Sequence, residues 1–185
     1  NPGSYIVFDL FKKEVSSEKK FWNLSTTNNG NNLNVNYSKV LEDLLIDSVK
    51  EQMISDVPLG AFLSGGVDSS LIVSVMKNFG SSKIKTFSIG FDESNFSEIQ
   101  YAEKVSKILN TDHTSLIIKK ENALNLIEHL ISNMDEPFAD GSIIPTYAVS
   151  KLAKQKVKVV LTGDGADELF GGYVRYRQSI KFMNK

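Results

Sequence analysis

Two short segments rich in glycine, hydroxyl and carboxylate residues have the composition to do chemistry. The first, SGGVDSS at Ser64–Ser70, follows the apolar run GAFL and precedes an apolar helical pattern. Adjacent glycines let backbone N–H groups approach a ligand closely, and serine hydroxyls add further donors. A helix that begins directly after them points its unpaired amides and the positive end of its dipole at the same place. This combination predicts an anion cradle that is best suited to phosphate.

The residues around these glycines restrict the kind of phosphate chemistry that the segment could support. No lysine follows them, so the Walker A pattern is absent and cleavage between the β- and γ-phosphates in the usual P-loop manner is not expected. Asp68 places a negative charge inside the cradle, where it would repel phosphate unless a cation intervenes. Mg²⁺ commonly binds one or two carboxylates together with substrate phosphates, so Asp68 is the first candidate metal ligand. The alternative is a glycine turn in which Asp68 or Ser69 caps the helix.

The second segment, TGDGADE at Thr162–Glu168, follows the apolar run VKVVL. Asp164, Asp167 and Glu168 stand at i, i+3 and i+4, so they could converge on one side of a first helical turn. An acidic turn that suits the helix dipole is the alternative. That alternative does not explain the two glycines that flank Asp164 at the tip of a buried strand.

Short apolar runs alternate with helical patterns along the chain after residue 37, and this alternation predicts the elements that position both segments. Strands are predicted at 60–63, 85–91, 114–119 and 157–161, and helices at about 38–54, 67–78, 97–109, 122–132 and 144–155. The alternation indicates βαβ units and a doubly wound α/β domain, with a parallel sheet and helices on both faces. Ligands bind such sheets at the carboxyl ends of the strands, near a switch in strand order.

The first 36 residues have a different character. Residues 4–10 and 15–22 predict a β-hairpin, and residues 23–36 contain seven Asn in fourteen positions, which is typical of a linker. The expected organisation is therefore a hairpin and linker over 1–36 and a nucleotide-binding domain over 37–185.

Composition excludes several classes of function. Among 185 residues, 21 Lys and Arg balance 22 Asp and Glu, which argues against a nucleic-acid or membrane-surface binder. The absence of cysteine excludes a disulfide framework, a thiolate zinc site and a cysteine nucleophile within this chain. No apolar run reaches the roughly 18 residues of a membrane span, and no signal peptide is recognisable. A cytoplasmic protein is expected.

SGGVDSS resembles the pyrophosphate-binding loop of the N-type ATP pyrophosphatases, which split ATP between the α- and β-phosphates. Further segments, from PGSYIVFD near the start to DELFGGYVRY near the end, narrow the resemblance to the synthetase domain of the glutamine-hydrolysing asparagine synthetase family. The resemblance implies an adenine nucleotide α-hydrolase-like fold that uses ATP and Mg²⁺. It also implies amidation of aspartate through β-aspartyl-AMP with pyrophosphate release. The ammonia would come from glutamine, through a glutaminase domain of the same polypeptide that precedes this region.

The resemblance also assigns roles to individual residues. Those that would contact ATP or pyrophosphate are Phe62, Ser64, Gly65, Gly66, Asp68, Ser69, Ser70, Ile89, Thr162 and Gly163. At Phe62 and Ile89 only the main chain would read the adenine. Asp68 and Asp167 would hold Mg²⁺. Asp164 occupies the position linked to formation of the acyl-adenylate, where the family usually has Glu, so its side chain is one methylene shorter.

Two other functions remain open. One is an amidotransferase or β-lactam-forming synthetase that acts on a different carboxylate, and the other is a non-catalytic nucleotide-binding module, which would not need the acidic residues of the second segment. The family's synthetase domain continues past Lys185 and contributes a lysine near the adenylate. The 185 residues alone are therefore expected to bind nucleotide weakly and to be nearly inactive.

The remaining polar and aromatic residues near these segments are expected to be structural. His113 and His129 are predicted to lie at the surface or to be hydrogen-bonded in the core, and Phe170 and Tyr173 are predicted to pack rather than to contact a ligand.

Overall fold

The computed structural model describes residues 1–23, 35–80, 82–92, 98–136 and 140–183. The chain divides into two compact units, Asn1–Tyr37 and Ser38–Lys185. Most of the segment predicted as a linker, residues 24–34, lies outside the described residues. Within the described ranges, no helix combines the length and the apolar character needed to cross a membrane.

The first unit is an antiparallel hairpin, as predicted, but its ladder is interrupted. Strand β1 (Ser4–Tyr5) pairs with β4 (Lys19–Lys20), and β2 (Phe8–Asp9) pairs with β3 (Glu14–Val15). Between the two ladders, the backbone N–H of Val7 donates to Ser16 Oγ at 2.9 Å. The predicted continuous strands were therefore too long, because a side-chain acceptor replaces a backbone partner in the middle of the hairpin.

The second unit contains a parallel sheet of four strands in the order β7-β6-β5-β8. These strands are β5 (Leu59–Phe62), β6 (Lys85–Phe91), β7 (Asp112–Ile118) and β8 (Val159–Leu161). The helices are α1 (Tyr37–Gln52), α2 (Val67–Phe79), α3 (Ile99–Leu109), α4 (Lys120–Ser132), α5 (Ile143–Ala153), α6 (Ala166–Phe170) and α7 (Val174–Met183).

Every strand and helix predicted in this unit is present, with its ends within two residues of the predicted ones. Helix α7 was not predicted. Its apolar residues Val174, Ile180 and Phe182 are exposed and do not join either core cluster.

Helices cover both faces of the sheet, which confirms the doubly wound architecture. Ala61 and Leu63 pack in a core cluster with residues of α1, α2 and α3. Phe62 lies between them in sequence and belongs to a second cluster that contains Phe87 and residues of α5. Because alternate residues of a strand point to opposite faces, these two clusters are the two sides of the sheet.

The strand order places a switch point at β5. The chain runs from β5 to β6 to β7 in one direction and then returns, so that β8 lies on the other side of β5. Ala61 is in register with Leu161, so the loops that follow β5 and β8 leave the sheet at the same level. In open parallel sheets this is where a crevice forms and ligands bind.

Candidate functional site

A cleft of about 420 Å³ lies where the two chemistry-bearing segments meet. This volume falls within the range of about 300–1,000 Å³ that is typical of small-molecule sites. The β5–α2 loop (Leu63–Gly66) forms one side together with the start of α2, and the β8–α6 loop (Thr162–Gly165) forms the other with α6. The lining residues are Phe62, Ser64, Asp68, Ser69, Thr162, Gly163, Asp164, Gly165, Asp167, Glu168 and Tyr173.

The β8–α6 loop is in direct contact with the first turn of α2 at Gly163. A Cβ atom at this position would lie 2.9 Å from the backbone nitrogen of Ser69 and 3.1 Å from Cβ of Asp68. Real Cβ atoms essentially never approach a neighbour as closely as the first of these distances. Glycine at 163 is therefore what allows the β8–α6 loop to lie against the first turn of α2.

The two adjacent glycines of the β5–α2 loop, Gly65 and Gly66, have different structural roles. Gly65 has φ +86°, and a Cβ there would lie 2.5 Å from the backbone nitrogen of Ala102 in α3. Gly66 has φ −68°, is the N-cap residue of α2, and donates its N–H to Ser64 Oγ at 3.1 Å. Only Gly65 needs a backbone conformation that favours glycine. Because the N-cap is Gly66, neither Asp68 nor Ser69 caps α2, and the simple capping alternative does not apply.

The serine hydroxyls hold the β5–α2 loop in shape. Ser69 is buried, its Oγ accepts a hydrogen bond from the N–H of Ser64 at 3.2 Å, and it lies 2.9 Å from Ser64 Oγ. Ser64 is exposed to the cleft. Ser70 does not line the cleft, and its Oγ is buried without a hydrogen-bond partner among the described residues.

The residues expected to contact the adenine lie at the carboxyl ends of neighbouring strands. Phe62 lines the cleft, and its ring packs partly into the core. Ile89 lies on β6 opposite Leu116 and does not line the cleft. The N–H of Leu63 donates to the carbonyl of Phe87 at 2.9 Å, which extends the pairing of β5 and β6 to the start of the β5–α2 loop.

The cleft is strongly acidic. Four carboxylates line it, and no lysine or arginine of the described chain does so; these carboxylates belong to Asp68, Asp164, Asp167 and Glu168. No group of three His, Cys, Asp or Glu residues in the described ranges could hold a metal ion by itself. A polyphosphate would therefore be repelled unless a cation came with it and completed its coordination with phosphate oxygens and water.

The acidic residues of the second segment have different surroundings, so the predicted convergence on one helical turn is not observed. Asp164 lies before α6, where its carboxylate accepts a hydrogen bond from Thr162 Oγ1 at 3.0 Å. Asp167 and Glu168 lie in the first turn of α6. Glu168 accepts a hydrogen bond of 2.6 Å from the hydroxyl of Tyr173.

Tyr173 is a residue that the sequence interpretation missed, because it lines the cleft instead of packing elsewhere. Its hydrogen bond lowers the pKa of Glu168 and raises the pKa of Tyr173 to about 12. The tyrosine hydroxyl therefore stays protonated at neutral pH. The guanidinium of Arg175 lies 4.7 Å from the centre of the Tyr173 ring. The signal available in the sequence was the position of Tyr173 directly after Gly171 and Gly172, where the chain reverses after the acidic turn.

Comparison with known proteins gives a family model and relatives that carry the name of the same family. The family model described as asparagine synthase matches residues 40–185. Glutamine-hydrolyzing asparagine synthetase 1 of Bacillus subtilis is 47% identical over 142 residues, which are 77% of this chain and 22% of that protein. A relative in Methanocaldococcus jannaschii is 43% identical over 175 residues, which are 92% of this chain and 33% of that protein. The chain thus spans about a fifth to a third of the length of these relatives.

Among solved structures, an NH3-dependent NAD synthetase from Campylobacter jejuni matches with a TM-score of 0.49 and 19% identity. The match covers 75% of this chain and 61% of that one.

Proposed function

This chain belongs to the asparagine synthase family, and from that premise we propose that it is the nucleotide-binding part of an enzyme that uses ATP to convert aspartate into asparagine. The observation that carries the proposal is the contact between the β8–α6 loop and the first turn of α2, next to the β5–α2 loop at the switch point of the sheet. The cleft at this contact is lined by hydroxyl groups, such as that of Ser64, which could bind phosphate, and by carboxylates, which could bind a cation.

The proposed nucleotide lies across both loops. Its pyrophosphate portion contacts Ser64, the backbone of Gly65 and Gly66, and the unpaired amides at the start of α2. The hydroxyl of Ser69 acts mainly by bracing Ser64. Thr162 and Gly163 close the opposite side of the cleft. The adenine lies against the main chain at Phe62 and Ile89.

The acidic lining fits Mg²⁺ better than it fits ATP alone. Asp68 and Asp167 would hold the ion, which would neutralise the charge of the phosphates when bound. Asp164 accepts a hydrogen bond from Thr162 within the β8–α6 loop. We place the reacting carboxylate of aspartate beside this pair.

In the proposed reaction, the β-carboxylate of aspartate attacks the α-phosphorus of ATP and pyrophosphate leaves, which gives β-aspartyl-AMP. Ammonia then displaces AMP and asparagine forms. No covalent bond to the protein is needed, because the chain contributes positioning and charge stabilisation. We propose that a glutaminase domain of the same polypeptide supplies the ammonia. The relatives' names include glutamine hydrolysis, and this chain has no cysteine for such a step.

Titration with ATP in the presence and absence of Mg²⁺ tests the proposal. Asp68→Asn and Asp167→Asn should each weaken Mg²⁺-dependent ATP binding at least about tenfold, because each removes a carboxylate that would bind the ion. Asp47→Asn is the matched control, since Asp47 is exposed on α1 and does not line the cleft. Unchanged binding in both cleft variants would favour a nucleotide-binding module without catalysis.

Exchange of pyrophosphate into ATP tests the acceptor. In a protein that contains the whole synthetase domain, exchange should depend on aspartate. Dependence on another carboxylic acid would point to a related synthetase or amidotransferase. The 185 residues alone are expected to show almost no exchange, and a robust rate from them would contradict that prediction.

A further inference from the structure

A partly buried polar network joins β6 to β7 on the side of the sheet that α3 covers. The ring of His113 on β7 has Nδ1 2.9 Å from Thr86 Oγ1 and Nε2 3.0 Å from Ser88 Oγ. Thr86 has no exposed surface, and Ser88 is 5% exposed. The hydroxyl of Thr86 is also 2.8 Å from that of Thr111, so the network extends to the start of β7. Both ring nitrogens are hydrogen-bonded, which confirms the expectation of a structural histidine.

Such a network holds the backbone in one position. Buried hydroxyls are costly when they lack partners, and a fully hydrogen-bonded network therefore fixes the groups that it joins. Thr86 and Ser88 are alternate residues of β6, and the rigid imidazole spans both of them. His113 consequently fixes a particular stretch of β6, beyond the backbone pairing that the two strands share.

This stretch lies next to the proposed adenine contact. Ser88 directly precedes Ile89, whose main chain we place against the base. Phe87 lies between Thr86 and Ser88, and its carbonyl accepts the N–H of Leu63 at the start of the β5–α2 loop. A shift of β6 would move Ile89 itself, whereas it would reach the β5–α2 loop only through the pairing with β5 and the bond from Leu63 to Phe87. The first turn of α2 and the β8–α6 loop have no such bond to β6 among those described, so the phosphate contacts should move less than the adenine contact.

We propose that His113 is a positioning residue for the base end of the nucleotide, because its two hydrogen bonds hold β6 where the main chain of Ile89 meets the adenine. This inference rests on the proposed function. It distinguishes the two ends of the ligand: loss of the imidazole should weaken recognition of the base and leave recognition of the pyrophosphate unchanged.

The test compares two ligands, ATP and inorganic pyrophosphate, each with Mg²⁺. His113→Phe keeps a ring of similar size and removes both hydrogen bonds. We expect its Kd for ATP to rise about tenfold, as the loss of such bonds would allow, while its Kd for pyrophosphate stays within about twofold. His129→Phe is the matched control, since His129 is exposed on α4.

A second pair of variants distinguishes the loss of these hydrogen bonds from a folding defect. Ser88→Ala removes one partner of the imidazole and should reproduce part of the effect, whereas His113→Gln retains hydrogen-bonding groups and should restore part of the affinity for ATP. Hydrogen exchange over residues 85–91 should be faster in His113→Phe than in His129→Phe.

Each outcome has a distinct meaning. Equal weakening of ATP and pyrophosphate binding would show a general structural role and overturn the inference, as would unchanged binding of both ligands. In those cases, retained ATP binding by the unmodified chain and its loss in Asp68→Asn would leave the proposed function standing. Failure of a protein that contains the whole synthetase domain to bind ATP would overturn both.

Discussion

Replacing Gly163 with alanine should separate the two loops that form the cleft. The new Cβ would lie 2.9 Å from Ser69 N, 3.1 Å from Asp68 Cβ and 3.2 Å from the carbonyl carbon of Asp68. Carbon atoms in ordinary contact are about 3.5–4.0 Å apart, so relief requires a shift of roughly 0.5–1 Å. The contacted atoms belong to the backbone or lie next to it, so a rotamer change cannot relieve the overlap.

The cost of this shift can be bounded. Overpacking of a well-packed site typically costs about 1–3 kcal/mol. For a domain of this size, that loss lowers Tm by about 2–12 °C. Because Gly163 touches the first turn of α2, the same shift should weaken ATP binding. In a complete enzyme, a misplacement of about 1 Å can lower the rate by up to about 100-fold.

Thermal unfolding and ATP titration of the same variant check both effects. Gly141→Ala is the matched control, because a Cβ there meets nothing within 4 Å and the change to the unfolded chain is the same. If Gly163→Ala unfolds and binds ATP like Gly141→Ala, the β8–α6 loop does not touch the first turn of α2, and the two segments do not form a shared cleft.

Three further predictions concern single side chains. Tyr173→Phe removes the hydrogen bond that lowers the pKa of Glu168, so that pKa should rise toward its usual value in a carboxyl NMR titration. Tyr176→Phe should leave it unchanged, and an unaltered pKa in the Tyr173 variant would contradict the assignment. Ser69→Ala should lower the free energy of unfolding by about 1 kcal/mol, because Ser64 loses its acceptor. Ser70→Ala should cost nothing in the same denaturant series, since its buried hydroxyl has no partner among the described residues; equal losses would refute this distinction. Burial lowers the pKa of His113, against an opposing effect of Glu103. The unfolded chain therefore binds more protons below about pH 6.5, and the free energy of unfolding should fall as the pH drops through that value. His113→Gln should flatten this dependence, and an unchanged slope would show that another group causes it.

The element sequence and the two candidate loops were predictable from the chain alone. Apolar periodicity reports which side of a segment is buried, so strands such as Lys85–Phe91 and helices such as Val67–Phe79 were located within two residues. The glycines, hydroxyls and carboxylates after two apolar strands likewise indicated where a phosphate ligand could bind. These are local signals, because each depends on residues close together in sequence.

Tertiary structure decided which residues meet. The position of β8 beside β5 brings Gly163 against Ser69, and no local pattern specifies that strand order. The same is true of the contrast between Ser69, which braces the loop, and Ser70, which does not line the cleft.

The contacts of isolated polar residues could also not be predicted from the sequence. His113 finds its partners on a neighbouring strand, and Tyr173 reaches Glu168 because the chain turns after α6. The sequence thus determined the fold class and the chemistry of the two loops. The tertiary structure determined the cleft and its tyrosine, because periodicity records whether a side chain is buried and carries no information about which distant side chain it faces.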